Sequence, residues 1–337
     1  MSVNRKQVAA YASVSEATVS YVINNGPRPV ALETRERVLN AIRELGYSPS
    51  SVARNLRTQR TTTIGLLLPD ITNPFYSEVA QVIENTCFTR GYTIILCNSS
   101  RSQQHEQDYV NVLRSQRAEG VILIPTGAST EAIEQLRDAH VYTVVLEYEF
   151  DNAFCIVIDE FRGGLLLTQH LLELGHRRIG CIVSVGDSSS SKARFDGYKK
   201  ALTEAGISPA ESLIVYTEPE IASSEAATFV LLEQPNPPTA IIVHNDTLTL
   251  GALSAIRKRG LRVPEDISVV GYDNIVESAF YHPPLTTIDY PKRQMGEEAV
   301  SLLFDLIQQQ GQTIMPFTKI LPVELIKRES TAPPRQI

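Results

Sequence analysis

The chain has 337 residues, 43% hydrophobic and 20% charged, the proportions of a folded protein rather than a disordered one. No apolar run reaches 18 residues, which excludes a membrane-spanning helix, and the opening MSVNRKQVAAYASV lacks the apolar core of a secretion signal. The net charge of −7 is unevenly spread: residues 1–60 hold nine basic and four acidic side chains, leaving the remainder strongly acidic. An acidic body repels nucleic acid, so any polyanion contact is confined to the basic head. Cys87, Cys97, Cys155 and Cys181 are widely spaced in apolar surroundings and form no CxxC pair, as free thiols of a reducing compartment would be.

Residues 1–47 show three helical patterns and no strand. Arg5–Ala12 puts Val8 and Ala12 on one face; after a tight turn at Ser13–Val14, Ser15 can cap a second helix running to about Asn24, with Val19, Val22 and Ile23 inward. A third helix covers about Ala31–Leu45 and stops at Gly46. Two helices joined by a short turn and buttressed by a third give a helix-turn-helix layout, with a generic three-helix bundle as the alternative. Ser48 and Pro49 then open a helix of about two turns, too short to be stable unless something packs against it.

From residue 61 the texture changes. Short apolar, β-branched runs at 61–68, 92–97, 120–125, 142–147, 178–183, 239–244 and 267–272 alternate with helical stretches, several closed by glycine at Gly91, Gly175 and Gly260. This predicts an α/β fold of parallel sheets covered on both faces. The number of runs predicts two similar subdomains, split near residues 159–162, with the chain crossing back near 286–291.

Three stretches resemble the lactose/galactose-repressor (LacI/GalR) family of bacterial transcription regulators. They are VAAYASVSEATVSYVIN (8–24), TRERVLNAIRELGYSPSSVARNLRTQRTTTIGLLLPDITNPFY (34–76), and VGYDN with PPLTTID (270–289). The resemblance covers nearly the whole chain. It implies an N-terminal all-α helix-turn-helix head (1–47), a hinge helix or linker (48–60) and a periplasmic-binding-protein-like core of two doubly wound parallel-sheet subdomains (61–330). The N-subdomain would take about 61–160 and 290–320, the C-subdomain about 161–289 and 321–330.

The same resemblance implies a cytoplasmic homodimer on a near-palindromic double-stranded operator, controlled by a small effector, with no enzymatic activity, cofactor, metal or membrane partner. Glu16, Ala17 and Tyr21 fall at base-reading positions of the second helix. Relatives usually carry Arg or His where Tyr21 stands, and a tyrosine cannot pair bidentately with guanine. Thr18, Ser20 and the backbone amides of Asn4 or Arg5 suit phosphates, as does Asn24, which could equally cap its helix. In the hinge, Leu56 falls where the family wedges an apolar side chain into the minor groove; Ala53 permits close approach, and Arg54 and Arg57 meet phosphates. Ala31 stands where relatives often place a capping serine, which leaves the third helix without a side-chain acceptor.

In open parallel sheets ligands sit beyond the carboxyl ends of strands. Asp70, Asn73, Glu147, Asn245, Asp246 and Asp273 gather there, Phe75 opens a helix nearby, and Ser190 and Arg194 lie where relatives carry an RLxGY-like signature. Glu147, Asp246 and Asp273 outnumber Arg194, so a neutral sugar or nucleoside is expected rather than a phosphorylated ligand. Relatives usually have Asp in place of Glu147. The tail after Leu325 has no leucine heptads, so a tetramerising coiled coil is not expected. Nucleotide-binding, esterase and metalloprotease motifs are missing, and the six histidines show no ligand spacing. The alternative reading is an extracytoplasmic solute receptor, which shares the core fold but has no use for a basic head.

Overall fold

The computed structural model describes residues 3–24, 29–47, 61–127, 130–185, 188–308 and 315–335. The chain divides into two compact units, residues 1–61 and 62–337. In the first, α1 (Arg5–Tyr11), α2 (Glu16–Asn24) and α3 (Leu32–Leu45) enclose Val8, Ala9, Ala12, Val19, Val22, Val38 and Ala41. The predicted periodicity is thus the packing face. Asn4 caps α1 in a reciprocal box, accepting from the Gln7 amide at 3.0 Å while its own amide donates to Gln7 Oε1 at 2.9 Å. Ser15 Oγ accepts from the Thr18 amide at 3.1 Å. Ala31 contributes no side-chain cap to α3, and Gly46 ends that helix at φ 60°.

The second unit runs β1 (Thr63–Leu68), α4 (Pro74–Thr89), β2 (Thr93–Asn98), α5 (Gln103–Ser115), β3 (Gly120–Leu123), α6 (Glu131–Asp138), β4 (Tyr142–Leu146) and β5 (Phe154–Ile158). It continues with α7 (Glu160–Glu173), β6 (Ile179–Ser184), α8 (Ser188–Glu204), β7 (Ile214–Thr217), α9 (Ile221–Leu232), β8 (Ala240–Val243), α10 (Asp246–Lys258) and β9 (Ser268–Val270). Then follow β10 (Thr287–Asp289), α11 (Lys292–Gln308), β11 (Thr318–Leu321) and β12 (Glu324–Ile326).

Two wholly parallel sheets result, ordered β11-β5-β4-β3-β1-β2 and β7-β6-β8-β9, with an antiparallel β10–β12 pair where the chain crosses between them. The central strands β1, β3, β4, β6 and β8 are apolar because helices cover both faces, whereas the edge strands β2, β7 and β11 are partly exposed. Strands β5, β7, β10, β11 and β12 were not among the seven predicted runs. All four cysteines are free and buried. No helix of the described residues is long and apolar enough to cross a membrane.

Where α7 passes α8, the backbones touch: a Cβ on Gly164 would lie 2.0 Å from the Arg194 carbonyl oxygen, and one on Gly197 would lie 2.2 Å from that of Phe161. Glycine is required at both positions, and the contact sets the first turn of α7 beside α8.

The chain beyond β12 is stitched into the second sheet. The Val269 amide donates to the Ser330 carbonyl at 2.9 Å, and Ser330 Oγ donates to the Val269 carbonyl at 2.6 Å. Buried His176 holds the next turn: Nε2 donates to the Ala332 carbonyl at 2.9 Å, and Nδ1 lies 2.8 Å from Thr239 Oγ1. The packed chain therefore runs past residue 330. Burial favours the neutral imidazole there. Burial lowers the pKa of both His176 and its neighbour His170, whose Nε2 lies 3.0 Å from Thr331 Oγ1. A depressed histidine contributes stability above its unfolded pKa, near 6.5, and loses it as pH falls. Thermal unfolding should accordingly show the midpoint dropping between pH 7.5 and 5.5, with a shallower drop in His176→Asn; equal slopes would mean that other groups carry the acid sensitivity.

Candidate functional site

In the head, Glu16 and Ala17 are exposed at the start of α2, while Thr18, Ser20 and Tyr21 are half-buried along it. Glu16 is the acidic residue of the first helical turn, where the helix dipole favours it. The Thr18 hydroxyl lies 2.9 Å from Ser15 Oγ, within the capping pair. The Asn4 amide, expected to donate to phosphate, is instead engaged by Gln7. Ala53, Arg54, Leu56 and Arg57 lie outside the described residues, as does the Asn24 side chain.

In the second unit the strand-end residues divide into two groups. Some are spent on local structure: Asn73 Oδ1 caps α4 through the Phe75 amide at 3.1 Å, and Asn245 Oδ1 caps α10 through the Leu248 amide at 2.9 Å. Asp70 Oδ1 accepts from the Thr72 amide and hydroxyl at 2.9 and 2.6 Å, and Arg101 lies 3.4 Å from its other oxygen. Asp246 is wholly buried. It accepts from the Thr287 hydroxyl at 2.7 Å and the Ile275 amide at 3.0 Å, so it ties α10 to the crossing strand β10. Burial pushes its carboxyl up to about 7.

The others converge. Arg194, on α8, donates Nε to Glu160 Oε2 at 2.6 Å, Nη2 to Glu160 Oε1 at 3.0 Å, and Nη1 to the His244 carbonyl at 2.9 Å. Its guanidinium lies 3.7 Å over the Tyr272 ring, and Nη2 is 3.8 Å from Asp273 Oδ1. Burial raises the Asp273 carboxyl well above its ordinary range; Arg194 opposes that rise, and neighbouring Asp246 and Glu160 reinforce it. Burial, with the charges of Arg194 and Arg101 behind it, keeps His244 neutral.

From Asp273 the contacts continue across the subdomains. Tyr290 Oη donates to Asp273 Oδ1 at 3.4 Å, and the Tyr290 ring meets that of buried Phe75 edge-on at 5.2 Å. Lys292 Nζ donates to the Asp273 and Asn274 carbonyls at 2.6 and 2.8 Å and pairs with Glu78 at 3.3 Å. Asp273 and Glu147 both hold positive φ, 101° and 66°, a backbone that non-glycine residues adopt under constraint. Ser190 is buried in the first turn of α8. Ser184 Oγ and Ser191 Oγ are buried and, among the described residues, have no hydrogen-bond partner. A cavity of about 20 Å³ lined by Ser191, Arg194, His244 and Tyr272 has room for one water, so a larger ligand requires these groups to part.

Glu160, Tyr272, Tyr290, Lys292 and the two orphaned serines were not anticipated from the sequence. Glu160 follows β5, a strand the alternation rule passed over; once FCIVI is read as a strand, Asp159–Glu160 falls at its carboxyl end like the other candidates. Among the described residues no cluster of His, Cys, Asp or Glu could hold a metal ion.

A helix-turn-helix head joined to a periplasmic-binding-like core with a polar cluster at its strand ends defines a DNA-binding transcription regulator, not an enzyme. Residues 6–50 match the model of bacterial regulatory proteins of the lacI family, and residues 168–331 match the periplasmic binding protein-like domain. The HTH-type transcriptional repressor PurR of Vibrio atlanticus (strain LGP32) is 39% identical over 308 residues, 90% of this chain and 92% of that protein. A lac repressor dimer bound to operator and the anti-inducer ONPF superposes with a TM-score of 0.87 at 32% identity, covering 98% of this chain and 100% of that one. The transcriptional regulator CelR in complex with cellobiose gives 0.74 at 33% identity, over 97% and 99%. The chain belongs to the lacI family of bacterial regulatory proteins.

Proposed function

We propose that this protein is a cytoplasmic repressor that binds a near-palindromic operator as a homodimer and is tuned by a neutral polyhydroxylated effector, a sugar or nucleoside. The observation that carries this reading is the presence of both family modules in one chain, a DNA-reading head and a ligand-type core. The proposed division is a head of residues 1–47, a hinge of 48–60 and a core of 61–330 extended by the segment packed on His176 and Ser268, its N-subdomain built from 61–160 and 290–320. The edge strand β2 supports pairing of two copies, since it leaves Leu96 exposed beside the half-buried Ile94 and Ile95.

On operator DNA, Glu16, Ala17 and Tyr21 face base edges, while Thr18, Ser20, Asn24, Arg54 and Arg57 serve the backbone. Leu56, admitted by the small Ala53, wedges the central step open. Effector bound among Arg194, Asp273, Ser190, Glu147 and Phe75, with Asp70, Asn73, Asn245 and Asp246 shaping the walls, changes the angle between subdomains. The spacing of the paired hinges changes with it. The acidic surroundings of Arg194 support a neutral ligand, as does the cellobiose carried by CelR.

A footprint on an operator selected from random duplexes tests the reading; protection of no sequence above competitor would end it. With that operator, Leu56→Ala should weaken binding about a hundredfold, equivalent to about 3 kcal/mol, without loss of folded signal. Tyr21→Ala should relax base preference at one position of each half-site and leave nonspecific affinity unchanged. A uniform loss across sequences would make Tyr21 a backbone contact. Thermal-shift measurement against neutral sugars and nucleosides tests the effector class.

A further inference from the structure

We propose that Glu160 sets the charge specificity of the effector pocket: it is a built-in anion for Arg194 and bars ligands that carry a phosphate or carboxylate group. This rests on the reading of the strand-end cluster as the effector site. A guanidinium facing an open pocket is a ready anion receptor, because its planar fork matches two oxygens at once. Here the fork is already filled. Both Glu160 oxygens accept from Nε and Nη2, at 2.6 and 3.0 Å, and the third nitrogen is held by the His244 carbonyl. The pair is sealed, with side-chain exposures of 13% for Arg194 and 7% for Glu160. One face of the guanidinium is covered by Tyr272.

The pairing is also imposed by the backbone. The glycine contact between α7 and α8 fixes the helix that begins at Glu160 against the helix that carries Arg194, so the carboxylate does not swing away as a surface partner would. An anionic ligand would have to displace a bidentate carboxylate and would then leave Glu160, Asp273 and its own charge together in a low-dielectric site with one arginine. A neutral ligand meets no such opposition. It finds the orphaned Ser191 hydroxyl, which lines the same cavity as Arg194, lacks a partner among the described residues and suits a hydroxyl group.

The test uses the full chain and inorganic phosphate, followed by isothermal titration at constant ionic strength with chloride as control. The wild type should show no saturable phosphate binding that depends on Arg194. Glu160→Gln, which keeps the shape and removes the charge, should bind phosphate at least tenfold more tightly than the wild type. The double variant Glu160→Gln/Arg194→Gln should lose that gain, which separates the pocket from any phosphate held by the basic head. Saturable wild-type binding abolished by Arg194→Gln would overturn the proposal, as would a folded Glu160→Gln with no gain. Should Glu160→Gln not fold, Glu160→Ala also removes the charge and is expected to gain phosphate binding; wild-type behaviour in folded Glu160→Ala would overturn the proposal equally. Neutral sugars that fail to bind would undo the effector reading without altering the phosphate result, because the phosphate titration reads Arg194 and Glu160 alone.

Discussion

Gly164→Val is expected to abolish the cooperative fold of the core. A Cβ at that position would stand 2.0 Å from the Arg194 carbonyl oxygen and 2.8 Å from its carbon, and both are backbone atoms with no rotamer into which to retreat. The neighbouring crossing point is equally tight, since a Cβ on Gly197 would meet the Phe161 carbonyl at 2.2 Å and the Leu165 amide nitrogen at 2.7 Å. The helices cannot slide to relieve one clash without worsening the other, so α7 and α8 must separate as a pair. Separation would strip cover from Leu167, Leu171, Tyr198 and Leu202 in the main core. A loss of more than about 4 kcal/mol follows, a large share of the 5–15 kcal/mol that typically holds a native protein together. Urea denaturation followed by circular dichroism measures it. Gly164→Val unfolding within a few tenths molar of the wild-type midpoint would show that the helices have slack.

Arg194→Leu should cost about 3–5 kcal/mol, the usual penalty for leaving a buried charge without its partner. Leucine keeps the start of the aliphatic stem but not the guanidinium stacked on Tyr272, so the loss counts that contact together with the charge. Two carboxyls, Glu160 and Asp273, would face each other without the cation between them. A carboxyl whose folded pKa is raised binds its proton more tightly in the native state, so its contribution is present at low pH and lost as pH rises through the folded value. The deficit of Arg194→Leu should therefore be larger at pH 8 than at pH 5. Adding Glu160→Gln should recover part of it at pH 8. Chemical denaturation of the four proteins at both pH values gives the cycle, and a deficit independent of pH would mean that packing rather than charge was lost.

Much of the architecture was legible because the parallel sheets are buried on both faces. Seven strands betrayed themselves as apolar runs followed by amphipathic helices. Strand β5 escaped because it follows β4 through the loop 147–153, with no helix between, although the two strands are parallel neighbours. Parallel pairs ordinarily need a longer crossover, so alternation argued against a strand there. β11 and β12 are short and half-exposed, and their partners lie far away in sequence.

The candidate site was legible to the same depth. Position at a strand end marked Asp70, Asn73, Asn245, Asp246 and Asp273, but sequence does not distinguish a carboxamide that caps a helix from one that faces a cavity. Asn73 and Asn245 cap, and Asp246 is absorbed by Thr287 and Ile275. Glu160 carries no signal apart from its place just beyond β5, so it is as hidden in the sequence as that strand. Tyr290 and Lys292 lie on the crossing segment, where no local pattern announces that they will reach Asp273.

The pairing of β5 with β11 has a consequence for synthesis on the ribosome. Residues 159–317 must be translated before the partner of β5 exists. At bacterial elongation rates of about 5–20 residues per second, the nascent sheet carries a bare border for roughly 8–30 s. During that interval the Cys155 and Asp159 amides, which in the finished sheet donate to the Phe317 and Leu321 carbonyls, are open to any other emerging strand. Neighbouring polysomes making the same polypeptide are the nearest source, so crowded translation should favour misassembly at this border.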